Sequence, residues 1–218
     1  MTAAAVDVIT PSAPPIAAIQ AHIDREIDAL LATLPDPAQM SADARRGIIA
    51  RYAAVLEGNF IYWMTGTYIA AGSDEARAKI IDNLREEVRD CHPGMMRRFA
   101  LAADAVPTEQ DAAAVYANLS NVRTFIGRLS AVPSVVAMAF FEGFIQKFMP
   151  YLADLAKRQG SSEMEYTDVH GICDITHTQE LFQALEAEMA LTPSLAPQQM
   201  FEGVALLRTL IQNIAATN

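Results

Sequence analysis

Proline and glycine cut this 218-residue chain into a succession of long segments with helical periodicity. No stretch alternates apolar and polar residues with the period of two that a half-buried strand needs. Helices are expected at about 15–34, 42–71, 74–91, 94–105, 108–129, 132–158, 163–190 and 197–215. Ser41 is placed to cap the second. Ser73 precedes Asp74 and Glu75, an acidic first turn that complements the helix dipole. Pro93, Pro107, Pro133 and Pro197 stand where helices should begin, the position at which a missing N–H costs least. The expected architecture is all-α: a single bundle of seven or eight helices over residues 15–218, preceded by a loose Ala/Pro tail over 1–14.

Composition narrows the function. Apolar residues make up 52% and charged residues 19%, so many helix faces must be buried, and an oligomer interface, expected to be that of a homodimer, is among them. No run of eighteen apolar residues lacks a polar break, which argues against a membrane span. The N-terminus has no basic region and the chain has two cysteines, Cys91 and Cys173, so neither a secretory signal nor a disulfide framework is expected and a cytoplasmic location is the default. A net charge of −10 opposes binding to nucleic acid or to an anionic membrane.

A charge on the apolar face of a helix is costly unless it is paired or binds a metal. Glu142 is the clearest case, set among Val135, Met138, Ala139, Ile145 and Met149 with no Lys or Arg three or four residues away. The bland reading hydrogen-bonds it within the core or pairs it with Arg123 or Arg128 of the preceding helix. In the third helix, Ile80, Ile81, Leu84, Val88 and Cys91 define an apolar stripe. Glu87 lies roughly 70° from its centre and Glu86 almost opposite, at about 100° per residue; Glu87 is the better ligand and Glu86 is expected in solvent. His92 precedes Pro93, which disfavours helix at His92 and would let it turn inward; as a rival, His92 caps the next helix. Glu57 is aligned with Phe60, Ile61, Met64 and Tyr68 and either binds something inside the bundle or pairs with a buried arginine.

His170, Asp174 and His177 form an H-x-x-x-D-x-x-H string that holds two of the four histidines. Steps of four and seven residues turn a helix by about +40° and −20°, so all three leave one face. Two imidazoles and a carboxylate suit iron or manganese when they converge. Without other ligands, a solvated polar face is an equal reading of the string.

Glu87, His92, Glu142, His170, Asp174 and His177 resemble, in order and approximate spacing, the metal ligands of the heme-oxygenase-like diiron oxidases. The resemblance spans roughly residues 45 to 190. It implies a helical bundle that binds two iron(II) ions through these six residues and uses O2 as co-substrate. It also implies oxidation of a small, amino-acid-derived substrate by N-oxygenation, oxidative C–C cleavage or desaturation, in specialised metabolism and with an external electron donor. Glu57 looks like the further helix-two carboxylate of N-oxygenating members. Phe60, Met64, Phe141, Phe144 and Phe148 are expected to line the substrate pocket or to be plain core. Arg123 or Arg128 would hold a substrate carboxylate or form surface salt bridges. Metal-free relatives of the same fold, thiaminase II and pyrroloquinoline quinone synthase, leave a hydrolase as the alternative, although neither cysteine has an evident activating base. A helical binding protein for a cationic ligand is the non-enzymatic alternative.

Overall fold

The computed structural model describes residues 14–191 and 195–217; apart from Pro14, the expected tail lies outside them. Among the described residues there are nine helices and no strand: α1 (Ile16–Leu31), α2 (Ala42–Ala70), α3 (Asp74–Arg89), α4 (His92–Ala102), α5 (Glu109–Ile126), α6 (Ala131–Arg158), α7 (Glu165–Leu191), α8 (Pro197–Met200) and α9 (Glu202–Ile214). The all-α heme-oxygenase-like bundle expected from the sequence is the fold observed.

Helix ends follow local chemistry. Ser41 and Ser73 accept the backbone N–H groups of Ala44 and Ala76, as their positions suggest. Helix α1 stops earlier than expected, because the Thr33 hydroxyl and N–H both take the Leu30 carbonyl. Helix α4 begins and ends earlier than expected. Asp104 takes a left-handed φ of 52°, and the Ala105 N–H returns to the Ala100 carbonyl, which closes the last turn. The single helix expected over 197–215 is two, interrupted at Phe201.

Helix α6 is the axis of the bundle. Every residue from Val132 to Glu142 is buried, and a helix apolar all round is stable only when other helices cover it. Its length and hydropathy would suffice to cross a membrane, but its apolar surface is taken up inside the bundle, as in a core helix. Helices α1, α2, α7 and α9 pack around it, and α7 lies between α6 and α3.

Two polar contacts fix the frame around the site. Asp111 closes a capping box with Thr108 at the start of α5 and accepts a two-pronged bond from Arg46 of α2, at 3.1 and 2.9 Å. Glu188, buried near the end of α7, accepts the N–H groups of Ser73 (2.7 Å) and Gly72 (3.1 Å). A carboxylate at a helix N-terminus is favoured by the dipole, and here it sets the position of α3 against α7.

Candidate metal centre

The buried face of α3 consists of Ala76, Ile80, Asn83 and Glu87. This differs from the expected stripe, because Val88 is 61% exposed and Cys91 is at the surface. The face is therefore turned toward Asn83 and Glu87, and Glu87 stands within it rather than at its edge. Helix α3 ends at Arg89 and Cys91 takes a left-handed φ of 57°, which reverses the chain. That reversal sends His92 inward: it is buried, and its Nδ1 lies 2.7 Å from Glu87 Oε1. The capping position is taken by Cys91, so His92 is the first residue of α4 and not its cap.

Helices α6 and α7 supply the rest. Glu142 is buried and accepts a 2.7 Å hydrogen bond from Asn83 Nδ2. That bond is the core hydrogen bond of the bland reading, while the arginines it offered are elsewhere: Arg123 donates to Asn59 Oδ1 and Arg128 binds Glu202. His170, Asp174 and His177 are all buried, on one face of α7. The His170 Nδ1–H donates to the Tyr166 carbonyl at 2.8 Å, and its Nε2 lies 4.0 Å from Glu87 Oε1. His177 Nδ1 lies 3.7 Å from both Glu142 Oε1 and Asp174 Oδ1. Two sets of ligating atoms result, each within 4.8 Å of one another: Glu87, His92 and His170, and Cys173, Asp174 and His177. Glu142 adjoins the second.

The family of iron-containing redox enzymes, of the heme-oxygenase-like superfamily, matches residues 48–210, a span that contains every one of these ligands. The chain belongs to that family. No curated protein matches it.

The residues present fit the iron that gives the family its description. Asp174 Oδ2 and His177 Nδ1 are buried with no hydrogen-bond partner among the described residues, a costly state that a bound cation relieves. Glu87, Glu142 and Asp174 put three carboxylates in one buried region. Burial and the neighbouring Asp174 push the Glu142 carboxyl well above its ordinary range. Burial alone would lower His177, yet Asp174, Glu142 and Glu86 push it up to about 10; burial lowers His170. Buried imidazoles and carboxylates are a donor set for iron, which on binding displaces the proton that His177 otherwise keeps. The Cys173 thiol donates to Asp174 Oδ1 at 3.1 Å, and burial together with Asp174 pushes it far up. A thiol held protonated is not the activated nucleophile that a hydrolase of this fold requires.

A cavity opens beside the ligands. Glu87, His92, Glu142, His170 and Asp174 line it together with the apolar Leu56, Phe60, Ile61, Met96, Phe141 and Ile145. Phe60 and Phe141 stand in its wall, their rings stacked at 5.9 Å. Met64, Phe144 and Phe148 are core residues outside its lining. The remaining expectations shift. Arg123 and Arg128 do not reach the cavity, and Arg128 lies at the surface with Glu202. Glu57 is not brought to the ligands; its side chain is 36% exposed and pairs with Arg97 of α4.

Three contributors were not anticipated. Asn83 binds Glu142, Tyr166 lines the cavity and fixes His170, and Glu86, expected in solvent, meets His177 Nε2 at 3.0 Å. Asn83 had a signal, since it lies four residues before Glu87 and three after Ile80. Glu86 had none, because its contact depends on how α3 lies against α7.

Proposed function

We propose that this iron-containing redox enzyme is an O2-dependent non-heme diiron oxidoreductase. The observation that supports it most is the division of candidate ligands into two adjacent sets, with Asp174 Oδ2 and His177 Nδ1 lacking a hydrogen-bond partner among the described residues. Glu87, His92 and His170 would hold one iron(II), and Asp174 and His177 the other, with Glu142 beside the second. Bound iron(II) supplies electrons to O2 and the oxidising power for the substrate, and an external donor restores them.

The chain's own residues do the rest. Tyr166 holds the proton of His170 at Nδ1, which leaves Nε2 free to ligate. The apolar wall from α2, α4 and α6 seats an uncharged part of the substrate against the ligands and keeps water out. Among the described residues no Lys or Arg lines the cavity, so the substrate is oriented by shape and by the metal side rather than by a protein cation. The substrate class is a small, amino-acid-derived molecule, and the reaction is N-oxygenation or oxidative C–C cleavage in specialised metabolism. The working form is a cytoplasmic homodimer.

Anaerobic iron(II) loading followed by admission of O2 tests the proposal. About two irons per chain and O2 uptake that depends on them are expected. Iron-free protein that hydrolyses thiamin fragments would replace the proposal with the hydrolase.

A further inference from the structure

We propose that Glu86 is a positioning residue for the metal centre: its carboxylate stands on the outer side of His177, holds that imidazole as an Nε2–H donor, and so turns Nδ1 toward Asp174 and Glu142. This rests on the iron reading above.

The two ring nitrogens of His177 face different surroundings. Nε2 lies 3.0 Å from Glu86 Oε2, whereas Nδ1 is buried, has no hydrogen-bond partner and lies 3.7 Å from two candidate ligand oxygens. A metal displaces the hydrogen from one ring nitrogen and leaves the other, so the bond that Nε2–H makes to Glu86 decides that Nδ1 is the nitrogen offered inward. A carboxylate or carbonyl behind a ligating histidine fixes ring orientation and raises basicity. His170 is served in the same way by the Tyr166 carbonyl.

Glu86 is free for this work. Among the described residues its one ion-pair partner is His177, while the nearby cations are engaged elsewhere: Arg85 with Asp82, Arg89 with Asp90 and Lys79 with Glu180. Successive residues on a helix diverge by about 100°. Glu87 therefore enters the ligand set while Glu86 passes round the rim, 44% exposed, to reach the same helix α7 from outside. One turn of α3 thus touches three ligand groups: Asn83 holds Glu142, Glu86 holds His177, and Glu87 meets His92.

The test compares the full-length wild type with Glu86→Ala and Glu86→Gln, each labelled with nitrogen-15 at histidine. In metal-free wild type, the His177 Nε2–H should give a ring signal protected from exchange with water. Glu86→Gln, whose amide oxygen still accepts, should keep it, and Glu86→Ala should lose it. Zinc(II), a diamagnetic probe, should shift Nδ1 of His177 in the wild type. Its affinity should fall by about 10–100-fold in Glu86→Ala and much less in Glu86→Gln. An Nε2–H signal and an affinity unchanged in Glu86→Ala would overturn the assignment, as would coordination through Nε2. Wild type that binds neither zinc(II) nor iron(II) would defeat the iron reading, and the Nε2–H comparison would still decide the role of Glu86.

Discussion

His92 Nδ1 and Glu87 Oε1 meet at 2.7 Å across the break between α3 and α4, although only five residues separate them. On an unbroken helix that interval would place them on opposite sides, about 140° apart. The left-handed Cys91 removes the conflict by reversing the chain between them. The junction between α3 and α4 is thus part of the candidate metal site.

Removing His92 should therefore empty one ligand set without unfolding the bundle. His92→Ala is expected to weaken binding of one iron(II) per chain by at least about 100-fold, taking the loss of an outer-sphere partner as the lower bound. The other equivalent should bind nearly as before. Anaerobic calorimetry would show two unequal sites in place of two tight ones. Loss of both, with circular dichroism unchanged, would mean that the sets are not separable.

Glu188 is expected to matter for stability more than its distance from the ligands suggests. Glu188→Ala leaves the Ser73 and Gly72 N–H groups without an acceptor, at a cost of about 2–4 kcal/mol. Chemical denaturation should show this loss. A cost below about 0.5 kcal/mol would mean that water replaces the carboxylate.

Asp111 supplies a pH dependence away from the site. Burial would raise its carboxyl, but the bonds from Thr108 and Arg46 outweigh burial and hold it below the usual carboxylate range. The folded pKa is depressed, so the stabilisation is present above the unfolded value of about 3.9 and is lost as pH falls through the folded one. Asp111→Asn should cost about 1–3 kcal/mol at neutral pH and progressively less below about pH 4. Denaturant midpoints measured from pH 7 to pH 2 would show the wild-type and variant curves converging; parallel curves would refute the assignment.

Glu57 and Arg128 give the opposite expectation. Glu57→Ala breaks an exposed contact with Arg97, and Arg128→Ala one with Glu202. Each should cost no more than about 1 kcal/mol and leave iron stoichiometry unchanged. Loss of an iron in Glu57→Ala would show that α2 moves Glu57 into the ligand set on loading.

Periodicity and proline placement made the helices legible, and the misplaced charge of Glu142 and the spacing of His170, Asp174 and His177 marked buried positions before any coordinates. Those signals are local: each compares a residue with its own helix. The stripe of α3 was misjudged because Val88 is apolar yet exposed, and Asn83 is polar yet buried against Glu142. Contacts between helices left no trace in the sequence. Arg123 with Asn59, Arg97 with Glu57 and Glu86 with His177 depend on crossing geometry, which one helix's periodicity does not contain.

The central claim is that two irons occupy two adjacent ligand sets. Anomalous diffraction at the iron edge, from crystals loaded with iron(II) without oxygen, tests it most directly. Two peaks are expected, one at Glu87, His92 and His170 and the other at Asp174 and His177 beside Glu142. A single peak, none, or His170 and His177 turned to solvent in the loaded protein would contradict it.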